Sequence, residues 1–103
     1  MSGYILSVDA DFDLDDIWEH IATDNIDAAD HWVEKLFDAF EALGQTPGIG
    51  HRREDLTSYT VLFWPVGAYL IIYRAAEWRP IEIVAVTQGS RDIPGFLSRR
   101  LRL

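Results

Sequence analysis

The chain has 103 residues and a mass of 11.8 kDa, a length that predicts a single domain over residues 1–103. Hydrophobic residues make up 49% of it, enough for a packed core, and the absence of cysteine excludes disulfides and thiolate metal sites. The apolar runs are too short to cross a bilayer, and Asp9 lies too close to the start for a signal peptide. We therefore expect a soluble, cytoplasmic protein that has no membrane partner.

The formal net charge of -8 is unevenly distributed along the chain. The first fifty residues contain twelve acidic residues and one lysine, whereas the remainder contains eight arginines and five acidic residues. Phosphate binding depends on Lys and Arg displacing counterions, so the overall acidity argues against non-specific binding of nucleic acids. We expect no direct sequence-specific binding either, although the arginines can still form a local basic surface.

The first half of the chain predicts a strand followed by two helices. Tyr4–Val8 is a short β-prone run. Asp9 or Asp11 can then cap a helix that runs to about Thr23. Its apolar residues recur at helical spacing: Leu14, Ile17, Trp18 and Ile21.

After a break at Asp24-Asn25, a second helix is predicted to end at Gly44. It has a wide apolar face, formed by Ala28, Ala29, Trp32, Val33, Leu36, Phe37, Phe40 and Leu43. The two helices should form an antiparallel hairpin, because only a few polar residues join them.

The second half predicts three antiparallel strands, because their connections are too short for parallel crossovers. The strands are Tyr59–Trp64, Ala68–Arg74 and Ile81–Val86. Pro94–Leu103 can form a short C-terminal helix. The prediction is an α+β domain of order β-α-α-β-β-β, with the helical hairpin packed on one face of an antiparallel meander sheet.

No motif for catalysis or metal binding is complete. The acidic run from Asp9 to Asp13 begins like a calcium loop, but Leu14 stands where the turn needs glycine and His20 where a bidentate glutamate is needed. The histidines lack the pairing of zinc hydrolases, and no serine lies in a nucleophile elbow. We expect no metal, no cofactor and no catalytic residue.

The arginines are the remaining functional signal. Arg74 ends a predicted strand, Arg91 follows the last strand, and Arg99, Arg100 and Arg102 crowd the C-terminus. Because the ends of neighbouring strands can lie close together, Arg74 and Arg91 are candidates for one shared face. Two interpretations stay open: the arginines pair with the surplus carboxylates of the hairpin, or they bind an acidic or phosphate-bearing partner.

An ordered set of short motifs resembles a known family. The motifs are Leu14-x-x-Ile17, Leu43-x-x-x-Pro47-x-x-Gly50-x-x-Arg53, Pro65-Val66-Gly67-x-Tyr69-Leu70-Ile71-Ile72-Tyr73-Arg74 and Ile81-x-Ile83-x-x-Val86-x-x-Gly89-Ser90-Arg91-Asp92. Together they span nearly the whole chain and resemble the ParE branch of the RelE/ParE toxin superfamily, whose fold coincides with the predicted order. The resemblance implies a toxin of a type II toxin–antitoxin system. It also implies inhibition of DNA gyrase, with trapping of the cleaved complex, and neutralisation by a ParD-like antitoxin.

The resemblance to ParE implies binding rather than enzymatic chemistry. We expect the surface that faces the target to contain Arg74, Arg91, Phe96, Leu97, Arg99 and Arg100. An antitoxin segment can lay its apolar face into a groove, and the candidates for that groove are Trp64, Tyr69, Tyr73, Trp78 and Arg79. Trp78 lies in a predicted turn and is the expected exposed anchor. We expect the antitoxin to bury part of the arginine surface.

A second interpretation is a RelE-like endonuclease that cuts mRNA on the ribosome. This reaction needs cations beside a phosphate and a group that moves protons. RelE-type enzymes resemble this chain at Arg91, but they have arginine where Leu70 stands, further lysines, and commonly a C-terminal tyrosine. Here Lys35 is the only lysine, and the C-terminal region offers Phe96 instead of tyrosine.

A third interpretation is a decayed module that binds an antitoxin without being toxic. Many ParE relatives have arginine where Leu62 and Ala68 stand, and histidine where Gln88 stands. These departures make the chain less basic than a typical toxin of this type.

Overall fold

The computed structural model describes residues 3–76 and 79–101. Its elements are β1 (Tyr4–Leu6), α1 (Val8–Ala22), α2 (Ile26–Gln45), a 3₁₀ turn (Pro47–Ile49), β2 (Leu62–Val66), β3 (Tyr69–Arg74), β4 (Ile81–Gln88) and α3 (Ile93–Arg100). The predicted element order, the α+β class and the short C-terminal helix are confirmed. In this part of the chain no helix is both long enough and apolar enough to span a bilayer.

Helix α1 begins earlier than predicted because Ser7, rather than an acidic residue, caps it. The Oγ of Ser7 accepts the N–H of Ala10 at 3.0 Å. Asp9 and Asp11 instead lie in the first turn, where negative charge is favourable beside the positive end of the helix dipole. Val8 is thus the first helical residue, and the predicted first strand was too long.

Helix α2 begins at an Asn25 cap, whose side chain accepts the N–H of Ala28 at 2.9 Å. The prediction that Gly44 ends this helix is wrong, because the helix continues to Gln45. Gly44 instead allows the chain before β1 to approach closely: a β-carbon on Gly44 would lie 2.8 Å from the carbonyl carbon of Gly3. This glycine therefore serves packing rather than helix termination.

The sheet has the strand order β1-β4-β3-β2. The predicted antiparallel meander is confirmed for β2, β3 and β4, whereas β1 pairs in parallel with Ile81–Ile83 of β4. Strand β2 begins later than the predicted strand Tyr59–Trp64 and extends beyond its predicted end, since Pro65 and Val66 still pair with β3. The tight turn is at Gly67, whose φ of 58° suits glycine.

The two faces of the sheet bury two separate apolar clusters. The α1–α2 hairpin covers one cluster, whose largest members include Leu36, Phe40, Leu43, Ile71 and Ile83. Helix α3 covers the other, which contains Val61, Phe63, Ile72, Val84, Ala85, Ile93, Phe96, Leu97 and Leu101. Packing of the hairpin on one face is as predicted, while the position of α3 on the opposite face was not anticipated.

Candidate functional site

Helix α3 carries most of the residues predicted to face a target. Asp92 caps it by accepting the N–H of Gly95 at 3.3 Å, and Pro94 lies in its first turn. Phe96 is 6% exposed and Leu97 is fully buried, because both side chains pack against the sheet. The prediction that Phe96 and Leu97 contact the target directly is therefore corrected: they hold α3 in place.

Arg100 is bound inside the molecule by Asp13 of α1. Two hydrogen bonds of 2.9 Å join its Nη1 and Nη2 to the two carboxylate oxygens of Asp13, and Nη1 also donates to the carbonyl of Val84 at 3.2 Å. Only 17% of the Arg100 side chain and 13% of the Asp13 side chain are exposed. The hydrogen bond to Asp13 raises the pKa of Arg100, against the opposing effect of burial. Arg100 therefore positions α3, and because part of its side chain stays exposed, its role as a target contact remains a prediction.

Asp13 also accepts a hydrogen bond from a backbone N–H at an edge of the sheet where the described residues provide no neighbouring strand. Among the described residues, β1 pairs with the start of β4 only, through Ile81–Ile83. Beyond that point, Asp13 Oδ2 accepts the N–H of Val86 at 3.0 Å, and Ser7 Oγ donates to the carbonyl of Val84 at 3.1 Å. An unpaired buried backbone group costs about 1–3 kcal/mol, so these side chains stabilise the edge in place of a strand.

Sequence reasoning missed Asp13, although a signal for it was present. Ala10, Leu14 and Ile17 are the buried residues of α1, and Asp13 lies on the same stripe at i, i+3, i+4 and i+7. An acidic residue on a buried stripe requires a charged or hydrogen-bonding partner. Because α1 contains many other acidic residues, Asp13 could not easily be distinguished from them in the sequence.

Three adjoining clefts run from the end of β3 to α3. The first, of about 310 Å³, is lined by Arg74 and Arg79; the second, of about 130 Å³, by Arg74 and Arg100. The third, of about 320 Å³, is lined by Arg91, Arg99 and Arg100. Neighbouring clefts share Arg74 or Arg100 in their linings, so the three adjoin, and Asp9 and Glu82 also line them. We call this surface, bounded by these five residues, the arginine trough.

Four arginines of the trough are exposed: Arg74, Arg79, Arg91 and Arg99. Arg74 Nη1 lies 3.5 Å from Glu82 Oε1, and both side chains are more than a third exposed. Such an exposed pair contributes at most about 1 kcal/mol, so a partner can replace it at low cost. The guanidinium carbon of Arg91 lies 4.8 Å from the centre of the Phe96 ring, which restricts its position.

Arg74 and Arg91, the candidates for one shared face, line adjoining clefts but do not lie side by side. Arg74 pairs with Glu82 near the start of β4, whereas Arg91 follows the end of that strand. The two arginines therefore lie toward opposite ends of the trough. They belong to one surface because Arg100 lines the clefts between them.

The described aromatic residues among the antitoxin candidates all pack at the apolar cluster under the hairpin rather than at the arginine trough. Trp64 is half-buried on β2 and stacks with His51 at a ring separation of 6.1 Å. Tyr69 is 8% exposed and meets Trp32 edge-on at 5.4 Å. Arg79 belongs to the arginine trough, and Trp78 lies outside the described residues.

Tyr73 is part of the core, which corrects its prediction as an antitoxin contact. Its side chain is fully buried, and its hydroxyl donates to the carbonyl of Pro47 at 2.7 Å and accepts the N–H of Gly50 at 2.9 Å. Burial raises the pKa of Tyr73. This residue therefore anchors the loop that follows α2.

A further cleft lies between α1 and the end of β4. Its volume is about 270 Å³, and its lining combines Asp16 and His20 with Gln88 and Arg91. Within residues 3–76 and 79–101, no group of three or more His, Asp and Glu side chains could hold a metal ion.

Comparisons with known proteins identify the family. The family model described as "ParE toxin of type II toxin-antitoxin system, parDE" matches residues 4–93. The fold is similar to a solved chain of the "Chromosomal ParDE TA system from P. aeruginosa", with a TM-score of 0.70, 19% identity, and coverage of 85% of this chain and 96% of that one. No curated protein matches the sequence. The chain belongs to the ParE toxin family of type II toxin–antitoxin systems.

Proposed function

We propose that this toxin binds DNA gyrase, stabilises its cleaved complex with DNA, and is neutralised by a ParD-like antitoxin. The observation that carries this proposal is the arginine trough, whose exposed cations line three adjoining clefts of an otherwise acidic molecule. Arginine binds carboxylates and phosphates through two parallel hydrogen bonds, so the trough suits an acidic partner surface.

The toxin performs no chemistry of its own in this proposal. It stabilises one state of gyrase, which requires higher affinity for the cleaved complex than for the other states. Two residues at positions that matter for RelE-type cleavage favour binding over RNA cleavage. Leu70, where RelE-type enzymes have arginine, packs against the second apolar cluster, and Lys35 lies over Trp32 on α2, on the hairpin side of the sheet.

The link between Asp13 and Arg100 gives the trough a fixed shape. Arg100 holds the last turn of α3 against α1 and β4, and its guanidinium carbon lies 4.7 Å from the Phe96 ring centre. Arg91 lies just before α3 and Arg99 lies in its last turn, so the contact between Arg100 and Asp13 restrains the helix that joins them. A pre-organised surface loses less conformational entropy on binding and so binds more tightly.

A supercoiling assay with gyrase from the source organism tests the proposal. We expect the purified toxin to inhibit supercoiling and to produce linear plasmid, and we expect the cognate antitoxin to reverse both effects. A parallel assay of ribosome-bound mRNA should detect no cleavage. No effect on gyrase at a large excess of folded toxin would overturn the proposal, and mRNA cleavage would favour the RelE-like alternative.

A further inference from the structure

The outer face of α1 exposes two large apolar side chains one turn apart. Val8 is 73% exposed and Phe12 is 62% exposed, and their spacing of four residues places them next to each other on the helix. The buried residues of α1, including Leu14 and Ile17, lie on the opposite side. The apolar pair therefore contributes nothing to the hairpin core.

Acidic side chains surround this pair. Asp11, Asp15, Asp16 and Glu19 are all exposed, and no ion pair within the described residues involves them. Asp11, Asp15 and Glu19 follow one another at intervals of four residues, a spacing at which like charges destabilise a helix. A cationic partner would remove this repulsion while covering the apolar pair.

The same helix forms a wall of the arginine trough. Asp9, next to Val8, lines two of the three clefts, and its carboxylate lies 3.8 Å from the Nε of Arg100. A segment bound along the outer face of α1 would therefore lie beside the trough. Its bulk would hinder access of a large target to the arginines without filling the trough itself.

We propose that the outer face of α1, formed by Val8, Phe12, Asp11, Asp15, Asp16 and Glu19, docks a cationic amphipathic segment of the cognate antitoxin. The apolar side of that segment covers Val8 and Phe12, and its Lys or Arg side chains meet the carboxylates around them. The inference rests on the proposed function for the existence of an antitoxin, and it adds the place and the chemistry of the contact.

The test measures the affinity of the purified cognate antitoxin for full-length toxin variants by isothermal titration calorimetry. Phe12→Ser should weaken binding by about tenfold or more, as expected for an apolar anchor. Ile26→Ser is the matched control, because Ile26 is 59% exposed and lies at the start of α2, away from this face. We expect the control to change the affinity less than about twofold.

A second pair of variants tests the charge. The double variant Asp11→Asn/Asp15→Asn should weaken binding at low salt and reduce its dependence on salt concentration. Glu34→Gln/Asp38→Asn removes the same charge from exposed positions of α2 and should leave the salt dependence unchanged. All four substitutions are at exposed sites, so thermal unfolding should confirm that each variant folds.

Equal effects of Phe12→Ser and Ile26→Ser on antitoxin affinity would overturn the inference. A change in the mass of the free toxin on Phe12→Ser, measured by light scattering, with no change in antitoxin affinity would overturn it in favour of self-association. These outcomes do not depend on gyrase. If the wild-type toxin fails to inhibit gyrase, the proposed target is refuted. If Phe12→Ser still weakens antitoxin binding in that case, the docking face on α1 is supported.

Discussion

The two layers that cover the sheet are held by different interactions. The α1–α2 hairpin packs through a broad apolar face, with buried Leu36, Phe40 and Leu43 and the close backbone contact between Gly44 and Gly3. Helix α3 is only eight residues long and adds to its apolar contacts a charged link, Arg100 to Asp13, that crosses to α1. The helix that borders the arginine trough therefore depends on a polar contact for its position, whereas the hairpin depends on close apolar packing.

The largest expected effect is that of Asp13→Ala. It removes the acceptor of the Val86 N–H and both hydrogen bonds between Arg100 and Asp13, so that the Arg100 guanidinium keeps only the Val84 carbonyl and the more distant Asp9 carboxylate. Removing one partner of a buried pair costs about 3–5 kcal/mol. Urea unfolding measures this loss in the free energy of unfolding. Amide hydrogen exchange should show that α3 loses more protection than α2, since the link restrains α3.

The control for Asp13 is Asp55→Ala. Asp55 pairs with Arg53 at 2.8 Å, but both side chains are largely exposed to solvent, so its loss should destabilise the fold much less than the loss of Asp13. Equal destabilisation by the two variants, or equal loss of protection in α2 and α3, would contradict the difference between the layers.

The next largest effect is expected for Gly44→Ala, which tests the hairpin side. The added methyl group would meet the backbone of Gly3 at 2.8 Å, and such overpacking costs about 1–3 kcal/mol. Gly48→Ala is the control, because a β-carbon there would meet nothing within 4 Å. Thermal unfolding measures both, and a Gly44→Ala variant as stable as Gly48→Ala would show that shape is not decisive here.

A smaller effect is expected for Tyr73→Phe. The variant removes the hydroxyl that binds Pro47 and Gly50, which should cost about 1–2 kcal/mol at neutral pH. Burial raises the pKa of Tyr73 above its ordinary value of 10.0, so the folded state holds its proton more tightly than the unfolded state does. The wild type should therefore lose stability as the pH rises above 10.0, and the difference from Tyr73→Phe should shrink there. A constant difference between neutral and alkaline pH would contradict this.

Local patterns in the sequence were sufficient to predict the elements and the element order. The helical spacing of Leu14, Ile17 and Ile21 and the β-branched run before Arg74 determine the local conformation directly. The parallel pairing of β1 with β4 and the position of α3 depend on contacts between distant residues, which no local pattern encodes. The link from Asp13 to Arg100 spans 87 positions and belongs to this second class.

The residues of the arginine trough could be predicted only in part, because their burial and pairing depend on contacts between distant residues. Arg74, Arg91 and Arg99 could be named from their places at the ends of predicted strands and near the C-terminus, because the charge of a side chain is known from the sequence. Sequence alone could not separate them from Arg100, which is bound internally, or from Phe96, which is buried. Burial and pairing depend on the fold, so they became evident only with the structure.

The central claim, that the arginine trough binds gyrase, is tested most directly by comparing trough variants in the supercoiling assay. Arg91→Ala and Arg99→Ala should each weaken the inhibition of supercoiling in part. The double variant should weaken it further, because the binding energy is spread over several cations. Arg52→Ala is the control, an exposed arginine outside the trough. Inhibition that is reduced by the trough variants and unchanged by Arg52→Ala is the result predicted here. Full inhibition by the Arg91→Ala/Arg99→Ala toxin would contradict the claim.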